Sequence, residues 1–373
     1  MNVRLTMINN YKKIVIKIGS SSIINNKTKK INSKWMTRLC KDIEKYHKDK
    51  NIIIVCSGAI ALGSNLIKKN KSLTKLEDKQ AAASVGQIEL AHQWRQNLKE
   101  HKINIAQVLL TLEDSEVRRR YLNARKTINT LLTNKIIPVV NENDTVATEE
   151  IRYGDNDRLA ARVAQMIDAD LLILLSDVDG FYDKNPTKNK DAKKISEIFK
   201  ITRSIEQMAN SQTSSLGSGG MTTKISAAKI CMNNGCDTII TNSAKKQPLN
   251  SINRTNSSIF IASKNSSSSR KQWLLNHLHP SGFIKIDEGA HKAIKNNKSL
   301  LPAGVIEVGG KFSRGDVISV YYPKKEKVAI GISAYDIYEA RKIIGKKSKE
   351  ISKILGYEGR DEIIHKDDLV RTI

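Results

Sequence analysis

The chain has 373 residues, a formal charge of +25, 39% hydrophobic and 27% charged residues, and four cysteines. At roughly 100–200 residues per domain this bounds the chain to two domains or three, with enough apolar residues for a core and no apolar run near the ~18 that a membrane span needs. Cys40, Cys56, Cys231 and Cys236 form no CxxC pair, and the N-terminus lacks a long apolar segment, so a disulfide framework, a zinc knuckle and a secretory signal are all disfavoured and the expected location is cytoplasmic. Lys13–Ile18 is a β-branched apolar run ending in Gly19-Ser20-Ser21-Ser22, which reads as a buried strand and a tight loop. Ser33–Lys48 has helical spacing. Ile52–Val55 is a second buried strand, running into Ser57-Gly58-Ala59 and another helix. Gln80–Lys99 reads as a long helix, Ala106–Leu110 as a strand, Ser115–Thr133 as a helix and Ile136–Val140 as a strand. Asn156–Ile167 is helical, Leu171–Leu175 a strand, Gly217–Gly220 the opening of a helix through Met232, and Thr238–Thr241 a strand.

Alternation of fully apolar strands with amphipathic helices implies a parallel sheet covered on both faces, with ligands beyond the carboxyl ends of its strands. The polar and glycine clusters gather at those ends. Near residue 265 the composition turns to Lys264-Asn265-Ser266-Ser267-Ser268-Ser269-Arg270, a linker composition. After it, Phe283–Ile286, Val305–Val308, Asp316–Tyr321 and Val328–Ile332 are short and strand-like, which predicts a small, mostly β domain with a helical tail.

A strongly basic chain raises the prospect of nucleic-acid binding. In this sequence lysine is spread among asparagine and isoleucine, as compositional drift would spread it. The clusters Lys27–Lys30, Arg118–Arg120 and Lys346–Lys349 do not alternate with aromatics as a stacking surface would.

Lys17-Ile18-Gly19-Ser20-Ser21 sets a lysine beside a glycine loop, either a phosphate cradle or a plain strand-to-turn lysine. Gly217-Ser218-Gly219-Gly220-Met221-Thr222-Thr223-Lys224 offers free N–H groups before a helix and a lysine one turn in, reading as a phosphate site or as a flexible loop with a surface lysine. Neither is a Walker A loop, and no Rossmann fingerprint follows the first strand. Asn141-Glu142-Asn143-Asp144 and Gly154-Asp155-Asn156-Asp157 group carboxylates that could bind an ammonium or orient lysines and magnesium, and amides that could bind a carboxylate; the second is equally a helix N-cap. Ser176-Asp177-Val178-Asp179-Gly180 is a nucleotide-side loop or an ordinary turn. Ser57 lacks a GxSxG frame, because residue 55 is Val, and no histidine is an obvious base, so it reads as a ligand-binding hydroxyl. His277-Leu278-His279 lacks further ligands, and no metal site is assigned.

The stretches Val15–Ser21, Val55–Gly63, Ala81–Gln87, Pro138–Thr148, Gly154–Leu159, Leu172–Pro186 and Gly217–Ala227 resemble the amino-acid kinase family. Within Gly282–Tyr321, Asp287-Glu288-Gly289-Ala290 and Phe312-Ser313-Arg314-Gly315-Asp316 resemble a PUA domain. Both halves in this order match the bacterial, glutamate-phosphorylating branch of that family; Cys56 and Ser218 are small departures, where Ser/Thr and Thr are expected. The resemblance implies an α/β fold, an αβα sandwich with a mainly parallel central sheet over residues 1–264. A linker at 265–278, a small mostly-β PUA-like domain at 279–359 and a C-terminal tail at 360–373 would follow. It also implies ATP-dependent phosphorylation of the L-glutamate γ-carboxylate to L-glutamyl 5-phosphate, the first step of proline biosynthesis, with Mg2+. Carried residue by residue, Lys17, Ser176, Asp177, Ser218, Gly219, Gly220, Met221, Thr222, Thr223 and Lys224 would bind ATP. Ser57, Asp144 and Asn156 would bind glutamate, and Lys17, Lys224 and Asp157 would form the catalytic group. The implied partners are proline as feedback inhibitor, further copies of the chain in a dimer or tetramer, and a glutamyl phosphate reductase taking over the product. PUA domains associate with RNA in other proteins, which sets an RNA-binding role beside the kinase reading; a sister kinase acting on acetylglutamate, aspartate or uridylate is the other alternative. A carboxylate nucleophile, with a reference pKa of about 4.3, is already ionised at pH 7, so an in-line transfer needs no general base.

Overall fold

Lys17, at the end of the first strand, faces the same side of a sheet as the helices that carry Asp157 and Lys224, and the strand order explains why. The computed structural model describes residues 7–372 apart from 26, 27, 29, 68–72, 74, 147–154, 212–219, 264–279 and 323–325. Contacts divide the chain into Met1–Ser266 and Ser267–Ile373. The expected linker at 265–278 lies outside the described residues.

The first unit opens with β1 (Lys13–Ile18), α1 (Ser20–Ile23), α2 (Ser33–His47), β2 (Asn51–Cys56), α3 (Ala59–Ile67) and α4 (Leu76–Lys99). Next come β3 (Ile105–Leu110), α5 (Leu112–Glu116), α6 (Arg118–Thr133), β4 (Ile137–Glu142), α7 (Asp155–Met166) and β5 (Leu171–Ser176). A short hairpin, β6 (Phe181–Tyr182) with β7 (Lys194–Ile195), precedes β8 (Glu197–Ile198), α8 (Arg203–Ser211), α9 (Met221–Asn233), β9 (Asp237–Asn242) and β10 (Ser257–Phe260). The main sheet runs β3-β4-β2-β1-β5-β9-β10-β8. Its strands are parallel except that β10 lies antiparallel to β9.

Strands β1, β2 and β5 are β-branched and leucine-rich because both faces are covered. Ile14, Ile16 and Ile18 enter one core with Trp35, Leu39, Leu90 and Trp94 from α2 and α4. Val15 enters the other, with Leu159 and Val163 of α7 and Ile225 and Ala228 of α9. Alternation along β1 therefore sends Lys17 to the Val15 side, toward α7 and α9. Lys17 pairs in register with Val55 on β2 and Leu174 on β5, both fully buried, so it sits in the middle of the sheet at its carboxyl end.

The helix expected over Ser115–Thr133 is two helices. A capping box between Thr111 and Asp114 starts α5, and Val117 is extended (φ −73°, ψ 111°), which breaks the chain before α6.

The second unit has β11 (Gly282–Ile286), α10 (Glu288–Lys295), β12 (Val305–Gly310), β13 (Val317–Tyr321), β14 (Lys327–Ile332), α11 (Ile337–Ile343), α12 (Ile351–Leu355) and β15 (Leu369–Arg371). Its sheet runs β12-β11-β13-β14-β15. The segment 360–373 is thus no appended tail: β15 pairs antiparallel with β14, and Ile363, Ile364, Leu369 and Val370 are buried. Ile363, Ile364 and Leu369 belong to the core of this unit. The helices expected in the tail stand earlier, at α11 and α12.

Helices α3 and α4 touch through a reciprocal pair of glycines. A Cβ on Gly63 would lie 1.9 Å from the Ala82 carbonyl oxygen, and one on Gly86 would lie 1.8 Å from that of Ala59. No side chain fits either place. Gly86→Ala should therefore lower the unfolding free energy by about 2 kcal/mol or more, read as a lower urea midpoint by circular dichroism. An unchanged midpoint would mean that the helices can part without cost.

Candidate active site

Four strand ends and two helix starts build the site. β1 delivers Lys17, and its Nζ stands 2.5 Å from Asp157 Oδ1. α9 delivers Lys224, whose Nζ lies 3.2 Å from Asp157 Oδ2. Asp157 itself, in the first turn of α7, is fully buried, and the two lysines are 7% and 6% exposed. The Thr223 hydroxyl donates to Asp157 Oδ2 at 2.8 Å and also lies 2.9 Å from the Gly220 carbonyl. Burial alone would push the Asp157 carboxyl up. The ammonium groups of Lys17 and Lys224, with hydrogen bonds from Lys17 and Thr223, outweigh burial and hold it below the usual carboxylate range. The stability this provides is present at neutral pH and is lost as pH falls below that range. Two cations and one anion leave a positive excess in a nearly dry place.

Helix α9 starts at Gly220, whose extended backbone (φ −76°, ψ −172°) offers no side-chain cap, and its first turn holds no acidic residue. The helix mouth sets its first-turn N–H groups and its positive dipole end beside Lys224, an arrangement suited to phosphate oxygens. Of the other expected nucleotide residues, Met221 is buried, and the Thr222 hydroxyl lies 3.3 Å from Asn210 Oδ1. Ser218 and Gly219 lie outside the described residues. Ser176 and Asp177 end β5; the Ser176 hydroxyl donates to Asp177 Oδ1 at 2.9 Å, and Asn242 Nδ2 donates to the Asp177 carbonyl at 3.1 Å.

The expected acceptor-side residues fall into two places. Ser57 and Asn156 meet at the end of β2: Asn156 Nδ2 lies 2.6 Å from Ser57 Oγ and 3.2 Å from the Cys56 carbonyl. Gly58 makes that turn with φ +118°, where a Cβ would also lie 2.7 Å from Ile24 Cδ1. Asp144 instead lines a cleft of about 250 Å³ with Ser84, Gln87, Glu142, Asn143 and Thr145. Asp144 is 8% exposed and has no ion-pair partner among the described residues; burial pushes its carboxyl up to about 6.

Two residues outside the expected set join these places. Asn141, 2% exposed, presents Oδ1 to Asn156 Nδ2 at 3.2 Å and donates through Nδ2 to Gln87 Oε1 at 2.6 Å. The asparagine-rich segment at the end of β4 pointed to Asn141 in sequence. Gln87 ends the stretch Ala81–Gln87 that carries the family resemblance, but its own residue type reads only as a polar position on a long helix.

The sequence pattern of the amino acid kinase family matches residues 12–242, the span that holds every residue of this site. The chain belongs to the amino acid kinase family. A PUA domain pattern matches residues 282–355, within the second unit. Full-length relatives carry both parts of this kinase family chain. A glutamate 5-kinase of Rhizobium rhizogenes is 50% identical over 364 residues, covering 97% of this chain and 93% of that protein. The glutamate 5-kinase of Agrobacterium fabrum is 51% identical over 362 residues, covering 96% and 93%. That of Paramagnetospirillum magneticum is 48% identical over 361 residues, covering 96% and 97%.

Asp144 gives the amino acid kinase site a pH signature. Between the ordinary carboxylate value of about 3.9 and its folded value of about 6, the folded chain holds a proton that the unfolded chain has released. Stability attributable to this group therefore falls as pH rises through that window and stays lower above it. Asp144→Asn should raise the unfolding temperature relative to the parent at pH 8, with the gap closing by pH 4. A gap of the same size at both pH values would contradict the shift.

Proposed function

We propose that the chain transfers the γ-phosphoryl group of ATP to the γ-carboxylate of L-glutamate, giving L-glutamyl 5-phosphate and ADP. The observation that carries this reading is the meeting of Lys17 and Lys224 on buried Asp157 at the mouth of α9. The full-length similarity to glutamate 5-kinases supports the choice of acceptor.

A carboxylate oxygen attacks the γ-phosphorus, and the bond from that phosphorus to the β–γ bridging oxygen breaks. The electron pair leaves with ADP, and no proton moves. The barrier lies in bringing two anions together, so the catalytic task is alignment and charge neutralisation. Lys17 and Lys224 supply positive charge, each ammonium carrying three N–H donors. Asp157 positions both of them. The N–H groups at the start of α9 suit the phosphates, with Ser176 and Asp177 on the nucleotide side. Ser57, Asn156 and Asp144 bind glutamate, the first two at the end of β2 and Asp144 from its cleft.

Magnesium belongs to this reading as a companion of the nucleotide. Among the described residues no group of three or more His, Cys, Asp or Glu side chains could hold a metal, and the Asp157 oxygens are taken by two ammonium groups and a hydroxyl. These residues do not suit a resident ion; phosphate oxygens and water would hold it. The same reading makes the product the first intermediate on the way to proline, proline a feedback ligand overlapping the glutamate pocket, and the working form a homo-oligomer. A glutamyl phosphate reductase would accept the labile acyl phosphate. RNA binding by the PUA domain stands outside the proposal.

The decisive assay is glutamate-dependent ADP formation, with the product trapped as the hydroxamate, with and without proline. Lys17→Ala and Lys224→Ala should each lower kcat by on the order of 10²–10³ while circular dichroism keeps the folded signature. Parental turnover in either variant, or ADP release indifferent to glutamate, would refute the assignment.

A further inference from the structure

We infer that Gln87 is a positioning residue that sets the hydrogen-bond polarity of the amino-acid pocket through Asn141 and Asn156. This inference rests on the glutamate reading above. The chain of amides has a fixed sense because one end meets main chain. The Cys56 carbonyl can only accept, so the Asn156 side chain must turn its nitrogen toward the end of β2. Asn156 Nδ2 has two hydrogens for Ser57 Oγ, the Cys56 carbonyl and Asn141 Oδ1, so one is shared; Asn141 must still turn its oxygen to it and its nitrogen away, and Gln87 Oε1 receives that nitrogen at 2.6 Å.

Two functional groups are left over by this arrangement. Ser57 Oγ accepts from Asn156 at 2.6 Å, so its O–H remains a donor for a carboxylate. Asn156 Oδ1 is buried and has no hydrogen-bond partner among the described residues, so it is an acceptor for an ammonium group. A donor beside an acceptor matches the carboxylate and ammonium of an α-amino acid. Reversal of the amides would reverse that match.

Gln87 holds the far end of the chain. Asn141 is 2% exposed, so removing its acceptor strands a buried N–H group. Asn141 can escape that only by turning over, which would set donor against donor at Asn156. Gln87 cannot drift to follow it: the neighbouring Gly86 is pressed against the Ala59 carbonyl of α3, the helix that begins two residues after Ser57. The same glutamine lines the Asp144 cleft, so one side chain ties the two acceptor-side places together.

The test is steady-state kinetics on the full chain at pH 8, comparing L-glutamate with glutarate, which lacks the α-ammonium group. Gln87→Met should raise the KM for glutamate about tenfold, leave the KM for ATP within about twofold, and lower the preference for glutamate over glutarate by a similar factor. Gln87→Glu keeps an acceptor toward Asn141 and should restore the preference. The unfolding temperature of each variant separates misfolding from mispositioning, and Gln87→Ala serves as the smaller substitute with the same expectations. A parent chain without glutamate-dependent turnover overturns the functional reading and this inference with it. With an active parent, a folded Met variant that keeps the parental preference, equal loss for both compounds, or failure of Gln87→Glu to restore the preference overturns this inference alone.

Discussion

A carboxylate without solvent, held between two ammonium groups, constrains the whole first unit. Asp157 is fully buried, and an isolated ion in such a place would protonate. It stays ionised because Lys17 and Lys224 close on its two oxygens. The lysines are 207 residues apart in sequence, and only a mainly parallel sheet with α7 and α9 on one face brings them together. Removing Asp157 would leave two buried ammonium groups uncompensated, and breaking a buried ion pair in this way typically costs about 3–5 kcal/mol. The strand order, the side of β1 on which Lys17 emerges and the seating of α9 are all tied to that one contact.

Thirteen residues earlier, Asp144 meets burial with the opposite outcome. It lacks an ion-pair partner among the described residues, and its carboxyl is pushed up to about 6. Asp157 is a framework charge, its oxygens spent within the protein. Asp144 is a charge waiting for a partner, and a cation arriving in its cleft would recover part of the burial cost. Two aspartates close in sequence thus meet burial in opposite ways, one held ionised by two lysines and the other raised with no ion-pair partner among the described residues.

The parts of this arrangement that could be read from sequence share a physical cause. β1, β2 and β5 announce themselves because strands buried on both faces must be apolar throughout. Lys17 stands out because it interrupts such a strand beside Gly19, and Lys224 because it follows a glycine run by one helical turn. Short edge elements gave no such signal: β8 has two residues, and β10 is serine-rich at its start. The last strand, β15, was hidden in a charged segment whose few apolar residues matter only once β14 lies beside them. Gln87 was illegible for another reason. Its role depends on the depth at which α4 packs on α3, and that depth is set by Gly63 and Gly86 rather than by Gln87 itself.

The net charge of +25 takes on a different meaning beside this site. Among the described residues only Lys17, Lys50 and Lys224 are buried lysines, and Lys50 is taken up by the Asn9 carbonyl and Asp49. The exposed lysines sit in high dielectric, where salt screens each of them and a typical surface pair is worth about 0–1 kcal/mol. Lys17 and Lys224 act where water is nearly excluded, and there a single uncompensated positive charge reaches much further in energy. The chain's total charge is therefore a poor guide to what it binds, whereas the placement of two lysines around one carboxylate is a good one.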